Sequence, residues 1–233
     1  MFFLDFPRWP ASRPKFIAEF FSYLHWRATK FQEERLDRKF GIETSAAESR
    51  YLEDVASPNR EFAVPYEAIQ LDVFHDMIAS TRRTLGKSPD YHFIDLGSGK
   101  GRALIYAAES GFGCCTGVEF SAALHAVAEK NIEAYRQATQ SACRFSLHCM
   151  DAIDFELPDD DIVLFLYNPF GSEVMRPIVG RVREFVEKTD RDLILLYRNP
   201  TCADDFRASG LTRLESGSSF EIYRTERLSR HDA

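Results

Sequence analysis

Apolar positions follow one rhythm before residue 90 and another after it. In the first stretch Phe16, Ile17, Phe20, Phe21, Leu24 and Phe31 recur at helical spacing. Ser12 and Pro14 suit a helix start, and Gly41 after Phe40 suits a stop. This predicts a long helix whose aromatic stripe packs onto the body of the protein. Ser57-Pro58-Asn59 and Pro65 mark a loop. Tyr66, Ile69, Val73, Phe74, Met77 and Ile78 then predict an amphipathic helix over 66–85 that ends near Gly86. From Tyr91 short apolar runs take over: Tyr91–Leu96, Cys114–Glu119, Arg144–Cys149, Ile162–Tyr167 and Leu193–Tyr197. Helical stretches over 101–110, 122–138 and 172–188 separate most of them. A short helix near 203–209 leads into Leu211–Leu214 and Ser219–Tyr223, joined by the turn-like Glu215-Ser216-Gly217-Ser218. Strand alternating with helix predicts an α/β, doubly wound, mostly parallel sheet closed by a C-terminal antiparallel hairpin. Residues 1–88 form an N-terminal helical extension or cap, and 89–233 form the core.

Composition narrows the class. A hydrophobic share of 45% and a charged share of 28% suit a soluble globular chain of one domain with an extension. A net charge of −7 and a pI near 5.4 argue against bulk nucleic-acid binding, which needs a cationic face. The five Cys make no CxxC pair, and Cys114 and Cys115 point to opposite faces of a strand, so they predict reduced buried thiols and no metal site. No apolar run reaches the ~18 residues of a transmembrane helix. Met1–Arg8 has no basic leader region and is interrupted by Asp5, so a cytoplasmic protein is expected. Lys15, Arg27 and Lys30 beside Trp26 give the first helix an alternative reading as a membrane-surface helix; Glu19, Glu33 and Glu34 oppose it.

The chemistry concentrates at Phe93-Ile94-Asp95-Leu96-Gly97-Ser98-Gly99-Lys100-Gly101-Arg102. Glycines that follow a strand and open a helix leave backbone N–H groups free and bring the chain close to a ligand. A Walker loop fails here, because Ile94 stands where its first Gly belongs and Gly101 where its Ser or Thr belongs. The dinucleotide pattern GxGxxG is weak, because the third Gly comes one position early and Arg102 takes its place. The Asp-x-Gly-x-Gly-x-Gly pattern that remains resembles motif I of the class I methyltransferases, enzymes with a Rossmann-like, seven-stranded sheet. The resemblance implies S-adenosylmethionine as cofactor and S-adenosylhomocysteine as product, with Asp95, Gly97, Ser98, Gly99 and Gly101 under the methionine part. A carboxylate at Asp95 suits the cationic amino and sulfonium groups. Glu119 ends the second strand, where an acid accepts from ribose hydroxyls, and Phe120 beside it suits the adenine face. By the same resemblance Asp151-Ala152, after the third strand, meets the adenine amino group; Asp154 and Asp159-Asp160-Asp161 are nearby alternatives.

The reacting end is read from Asn168-Pro169-Phe170-Gly171, which follows an apolar strand at the edge where such sheets bind ligands. It resembles the Asn/Asp-Pro-Pro-Tyr/Phe motif of amino-methylating enzymes, with one Pro missing. The resemblance makes Asn168 and Pro169 acceptors of the target nitrogen's hydrogens and Phe170 its stacking partner; a plain strand exit is the alternative. Tyr197-Arg198-Asn199-Pro200 repeats the pattern on the next strand and reads as a strand exit. Helix 66–85, the glycine loop and Gly117-Val118-Glu119 together resemble the lysine methyltransferases of the ATP synthase c-subunit and their bacterial relatives. The non-SET histone lysine methyltransferases have a similar loop. In these relatives a Tyr often precedes the core, so Tyr66 either contacts cofactor or substrate or simply starts its helix. Methyl transfer to a nitrogen, preferably of a protein lysine, is therefore expected. The rivals are a small-molecule or nucleobase acceptor, an inactive cofactor-binding module acting through its aromatic helix, and an NAD-dependent enzyme.

Overall fold

The computed structural model describes residues 13–45, 66–85, 90–167, 172–217 and 219–226. Among the described residues two helices precede the sheet, α1 (Arg13–Phe40) and α2 (Leu71–Leu85). There follow β1 (His92–Leu96), α3 (Arg102–Glu109), β2 (Cys114–Glu119), α4 (Ala122–Thr139) and β3 (Arg144–Cys149). A 3₁₀ turn, Ala152–Asp154, leads to β4 (Ile162–Tyr167), α5 (Ser172–Lys188), β5 (Leu193–Arg198), α6 (Ala203–Arg207), β6 (Leu211–Ser216) and β7 (Phe220–Thr225). The seven strands run in the order β3-β2-β1-β4-β5-β7-β6. The first five pair in parallel, and β7 enters antiparallel between β5 and β6, as the expected hairpin.

Burial explains the strand order. The β4 and β5 sequences are unbroken apolar runs, buried on both faces, as inner parallel strands require. Arg144–Cys149 and Leu211–Ser216 carry polar residues and lie at the two edges. One layer of core packs α2, α3 and α4 on the sheet around Phe74, Phe93 and Phe165. The other packs α5 and α6 around Leu164, Met175 and Leu195. Because the strand order reverses at β1, the carboxyl ends of β1, β2 and β4 gather at one edge.

Three details differ from the sequence expectations. The second helix begins at Leu71, and residues 66–70 are not helical. Tertiary partners hold them out of the helix: the Tyr66 hydroxyl donates to the Thr44 carbonyl and Arg102 donates to the Ile69 carbonyl. Of the aromatic stripe of α1, Phe20, Leu24 and Phe31 are exposed rather than packed on the body, the side chains of Phe16, Ile17 and Phe21 lie outside the described residues, and the helix seats itself through Glu33, Leu36 and Phe40. Among the cysteines, Cys149 is exposed rather than buried, and all five are free thiols. Gly86 lies outside the described residues. No described helix is long and apolar enough to cross a membrane.

Candidate active site

The glycine loop folds back over β2. Gly97 N–H and Ser98 N–H both donate to the Val118 carbonyl, at 2.8 and 3.0 Å, and Gly101 N–H closes the turn on the Ser98 carbonyl. Gly97, Gly99 and Gly101 take φ values of 89°, 53° and 81°, which side-chain-bearing residues avoid. Gly117 makes the fold-back feasible: a β-carbon there would sit 2.7 Å from Leu104 Cδ1 and 2.8 Å from Ser98 Oγ.

Glu119 ties the two strand ends together. Its Oε2 accepts from Gly99 N–H at 2.8 Å and its Oε1 from Ser121 N–H at 2.8 Å. Burial nevertheless raises the carboxyl to about 7, against the lowering effect of those backbone donors. Asp95, at the end of β1, is also buried and its carboxyl is held well above the usual range, first by desolvation and then by the nearby Glu119. Phe120 is half-buried beside them. Asp151 caps the 3₁₀ turn, its Oδ1 accepting from Ile153 N–H at 3.2 Å, and Ala152 is buried under that turn.

Tyr66 comes to the loop from the segment before α2. Its ring covers Gly99 so closely that a β-carbon there would fall 2.3 Å from it. Burial also pushes its hydroxyl above the usual phenol range. Of the two sequence readings of Tyr66, the helix start is overturned, and the ring's place against the glycine loop is a finding.

The loop's own cations are turned away from these carboxylates. Lys100 Nζ donates to Glu43 Oε1 at 2.9 Å. Arg102 pairs with Glu33 Oε2 at 3.0 Å and donates to Thr44 Oγ1 at 2.8 Å and Ser45 Oγ at 2.7 Å. Asp37 in turn accepts from the backbone and hydroxyls of both Thr44 and Ser45. Asn131 of α4 joins the Lys100 carbonyl to Glu43. The strap 42–45 is thereby fastened to the glycine loop. Sequence reading took Arg102 only as a letter of the motif. The missed signal was a charged residue placed directly before the apolar run Ala103–Ala108 of α3, with Glu33 and Asp37 four positions apart on a helix to receive it.

These residues fit S-adenosylmethionine. Two buried carboxylates held above their usual range favour a cationic or hydrogen-donating ligand, which restores their ionised form. Asp95 would face the ammonium and sulfonium charges. Glu119 would take the ribose hydroxyls on the lone pairs its backbone donors leave open.

On the acceptor side, β4 ends at Tyr167, beside the end of β1. The Tyr167 hydroxyl bonds the Glu67 carboxylate, and burial with that neighbour raises it to about 12. The Arg198 guanidinium lies 5.6 Å over the Tyr167 ring. Asn168, Pro169 and Phe170 lie outside the described residues. At the corresponding exit of β5, Asn199 takes φ 51° and its N–H donates to the Ser219 carbonyl, so it is a strand exit on the way to α6.

The chain is similar to known proteins in part of its sequence and in its fold. Residues 66–155 match the family model described as Histone methylation protein DOT1. The match begins at Tyr66 and takes in the glycine loop, Glu119 and Asp151, less than half of the chain. Among solved structures the fold is similar to that of a proposed RNA methyltransferase from Pyrococcus horikoshii, at 16% identity and TM-score 0.50, over 83% of this chain and 97% of that one. Magnesium protoporphyrin IX methyltransferase from Synechocystis, with bound S-adenosylmethionine, matches at 15% identity and TM-score 0.47, over 87% of this chain and 94% of that one. No curated protein matched the sequence.

Proposed function

We propose that this chain, a class I S-adenosylmethionine-dependent methyltransferase, methylates a nitrogen, preferably the side-chain amine of a protein lysine. The observation that carries the reading is the match of residues 66–155 to a family described by histone methylation. The sequence Asn168-Pro169-Phe170 at the exit of β4 supports it.

Bound at the glycine loop, the cofactor supplies an electrophilic methyl carbon. The chain's residues then have three tasks. Asp95, Gly97, Ser98, Gly99 and Gly101 hold the methionine part, Glu119 and Phe120 the nucleoside, and Asp151 with Ala152 the adenine edge. Asn168 and Pro169 accept the hydrogens of the incoming amine, so that its lone pair lies in line with the bond to be broken. Phe170 keeps the amine neutral and dry beside them. A lysine amine, with a reference pKa of about 10.4, must give up a proton before it attacks, and a low-dielectric aromatic face favours the uncharged form. The helices before the sheet act as a cap on this cleft, with Tyr66 over Gly99 as its inner edge.

The test is incubation of the protein with methyl-labelled cofactor and fractionated lysate. Label in the protein fraction, recovered after hydrolysis as methyl-lysine, is the expected result. Label confined to nucleic acid or small molecules would replace the lysine reading with the alternative acceptors. Tight S-adenosylhomocysteine binding with no transfer to any fraction would favour a binding module.

A further inference from the structure

We propose that the outer face of α1 docks the protein onto an anionic lipid membrane surface. The proposal does not depend on the nature of the methyl acceptor.

Helix α1 has two unlike sides. The inner one is committed: Glu33 pairs with Arg102 at 3.0 Å, Asp37 binds Thr44 and Ser45, and Phe40 meets the Tyr135 ring at 5.1 Å, edge to face. On the opposite side Phe20, Tyr23, Leu24 and Phe31 are 48%, 51%, 43% and 59% exposed. At 1.5 Å per residue these apolar groups span about 16 Å of helix on one face. Arg27, Arg35 and Arg38 lie exposed along that same face, with Lys30 at its margin. Arg27 and Arg38 stack on the stripe's own rings, 5.8 Å from Tyr23 and 6.0 Å from Phe31.

The charge balance identifies the occupant. The sequence sets Glu33 and Asp37 among the cations of α1, but the fold draws both carboxylates inward to Arg102 and the strap. Glu34 alone faces the four cations on the outer side of the described segment 20–40. Cations interleaved with aromatic rings suit a headgroup layer, where the rings enter the interface and the long basic side chains reach the phosphates. A second copy fits poorly, since a twofold contact would set the same cations face to face. The chain's net charge of −7 does not prevent docking, because beyond a Debye length of about 8–10 Å the rest of the surface is screened.

The experiment is co-sedimentation of the full chain with vesicles of phosphatidylcholine alone and of phosphatidylcholine with phosphatidylserine. Three proteins are compared: the parent, R27Q/R35Q/R38Q, and F20S/L24S/F31S. All are first checked for unchanged S-adenosylhomocysteine binding, since these residues lie exposed on the outer side of α1. The parent should pellet with the anionic vesicles and be released by salt. Each lost cation is worth about fivefold at such a surface, so the triple Gln variant should partition about a hundredfold less. The triple Ser variant should also fail to pellet. A parent that ignores anionic vesicles overturns the proposal, as does vesicle binding unaffected by both variants. Self-association that the same substitutions abolish, without vesicle binding, would assign the face to a second copy instead.

Discussion

Replacing Arg102 with Met removes the hub between the N-terminal extension and the glycine loop while keeping the side chain's length. Arg102 is almost fully buried and reaches Glu33, Asp37, Thr44, Ser45 and the Ile69 carbonyl in the segments before the sheet. The substitution leaves Glu33 buried without its cation, and one Glu33 oxygen already has no partner. Breaking a buried pair from one side costs about 3–5 kcal/mol, because the remaining charge stays desolvated. For a chain of this length that corresponds to a fall in Tm of about 6–20 °C. Denaturant unfolding of parent, R102M, E33Q and the double variant measures it, and the double variant should recover part of the loss because it no longer buries a lone carboxylate. Arg102→Lys should rescue little, since one ammonium cannot serve partners that lie in several different directions. A loss below about 1 kcal/mol for R102M would refute the hub, as the worth of an exposed pair.

Gly117→Ala forces a β-carbon into Leu104 and Ser98, and should cost about 1–3 kcal/mol together with weaker S-adenosylhomocysteine binding; a melt and a titration both matching the parent would count against the fold-back. Asn168→Ala should leave product affinity nearly unchanged and lower kcat about a hundredfold, read from steady-state rates once the acceptor is known; normal turnover removes Asn168 from the mechanism. The Glu119 carboxyl, raised to about 7 from 4.5, stabilises the ligand-free fold below about pH 4.5, and that contribution is lost as pH rises through about 7. Ligand binding runs the other way, since it needs the carboxylate. S-adenosylhomocysteine affinity should rise about tenfold between about pH 6 and about pH 8, and a flat profile would mean that Glu119 does not gain its charge on binding.

Features read correctly from the sequence are those with local causes. The β4 and β5 runs admit little besides buried strands, and glycines held at positive φ mark their loop wherever the chain lies. The place of Glu119 at the sheet edge was legible because it ends the apolar run of β2, while its part in ribose binding stays a proposal. What escaped reading is decided by partners far along the chain. Apolar periodicity continues through Ile69 into the helix, but Arg102 and Thr44 hold residues 66–70 outside it. Periodicity likewise announces an aromatic stripe on α1 without saying which side is occupied; Glu33 turns inward to Arg102, and Phe20, Leu24 and Phe31 face outward. The Asn168-Pro169-Phe170 assignment rests on sequence, because those residues lie outside the described part of the chain.

The carboxylates and glycines at the ends of β1 and β2 form the proposed S-adenosylmethionine site. Calorimetric titration of S-adenosylhomocysteine into the parent and Glu119→Ala proteins tests it most directly. One site per chain is expected in the parent, and an affinity at least about a hundredfold weaker in the variant, whose ribose acceptor and Gly99 anchor are both gone. Equal affinity in the two proteins, or preferential binding of a nicotinamide dinucleotide by the parent, would contradict it.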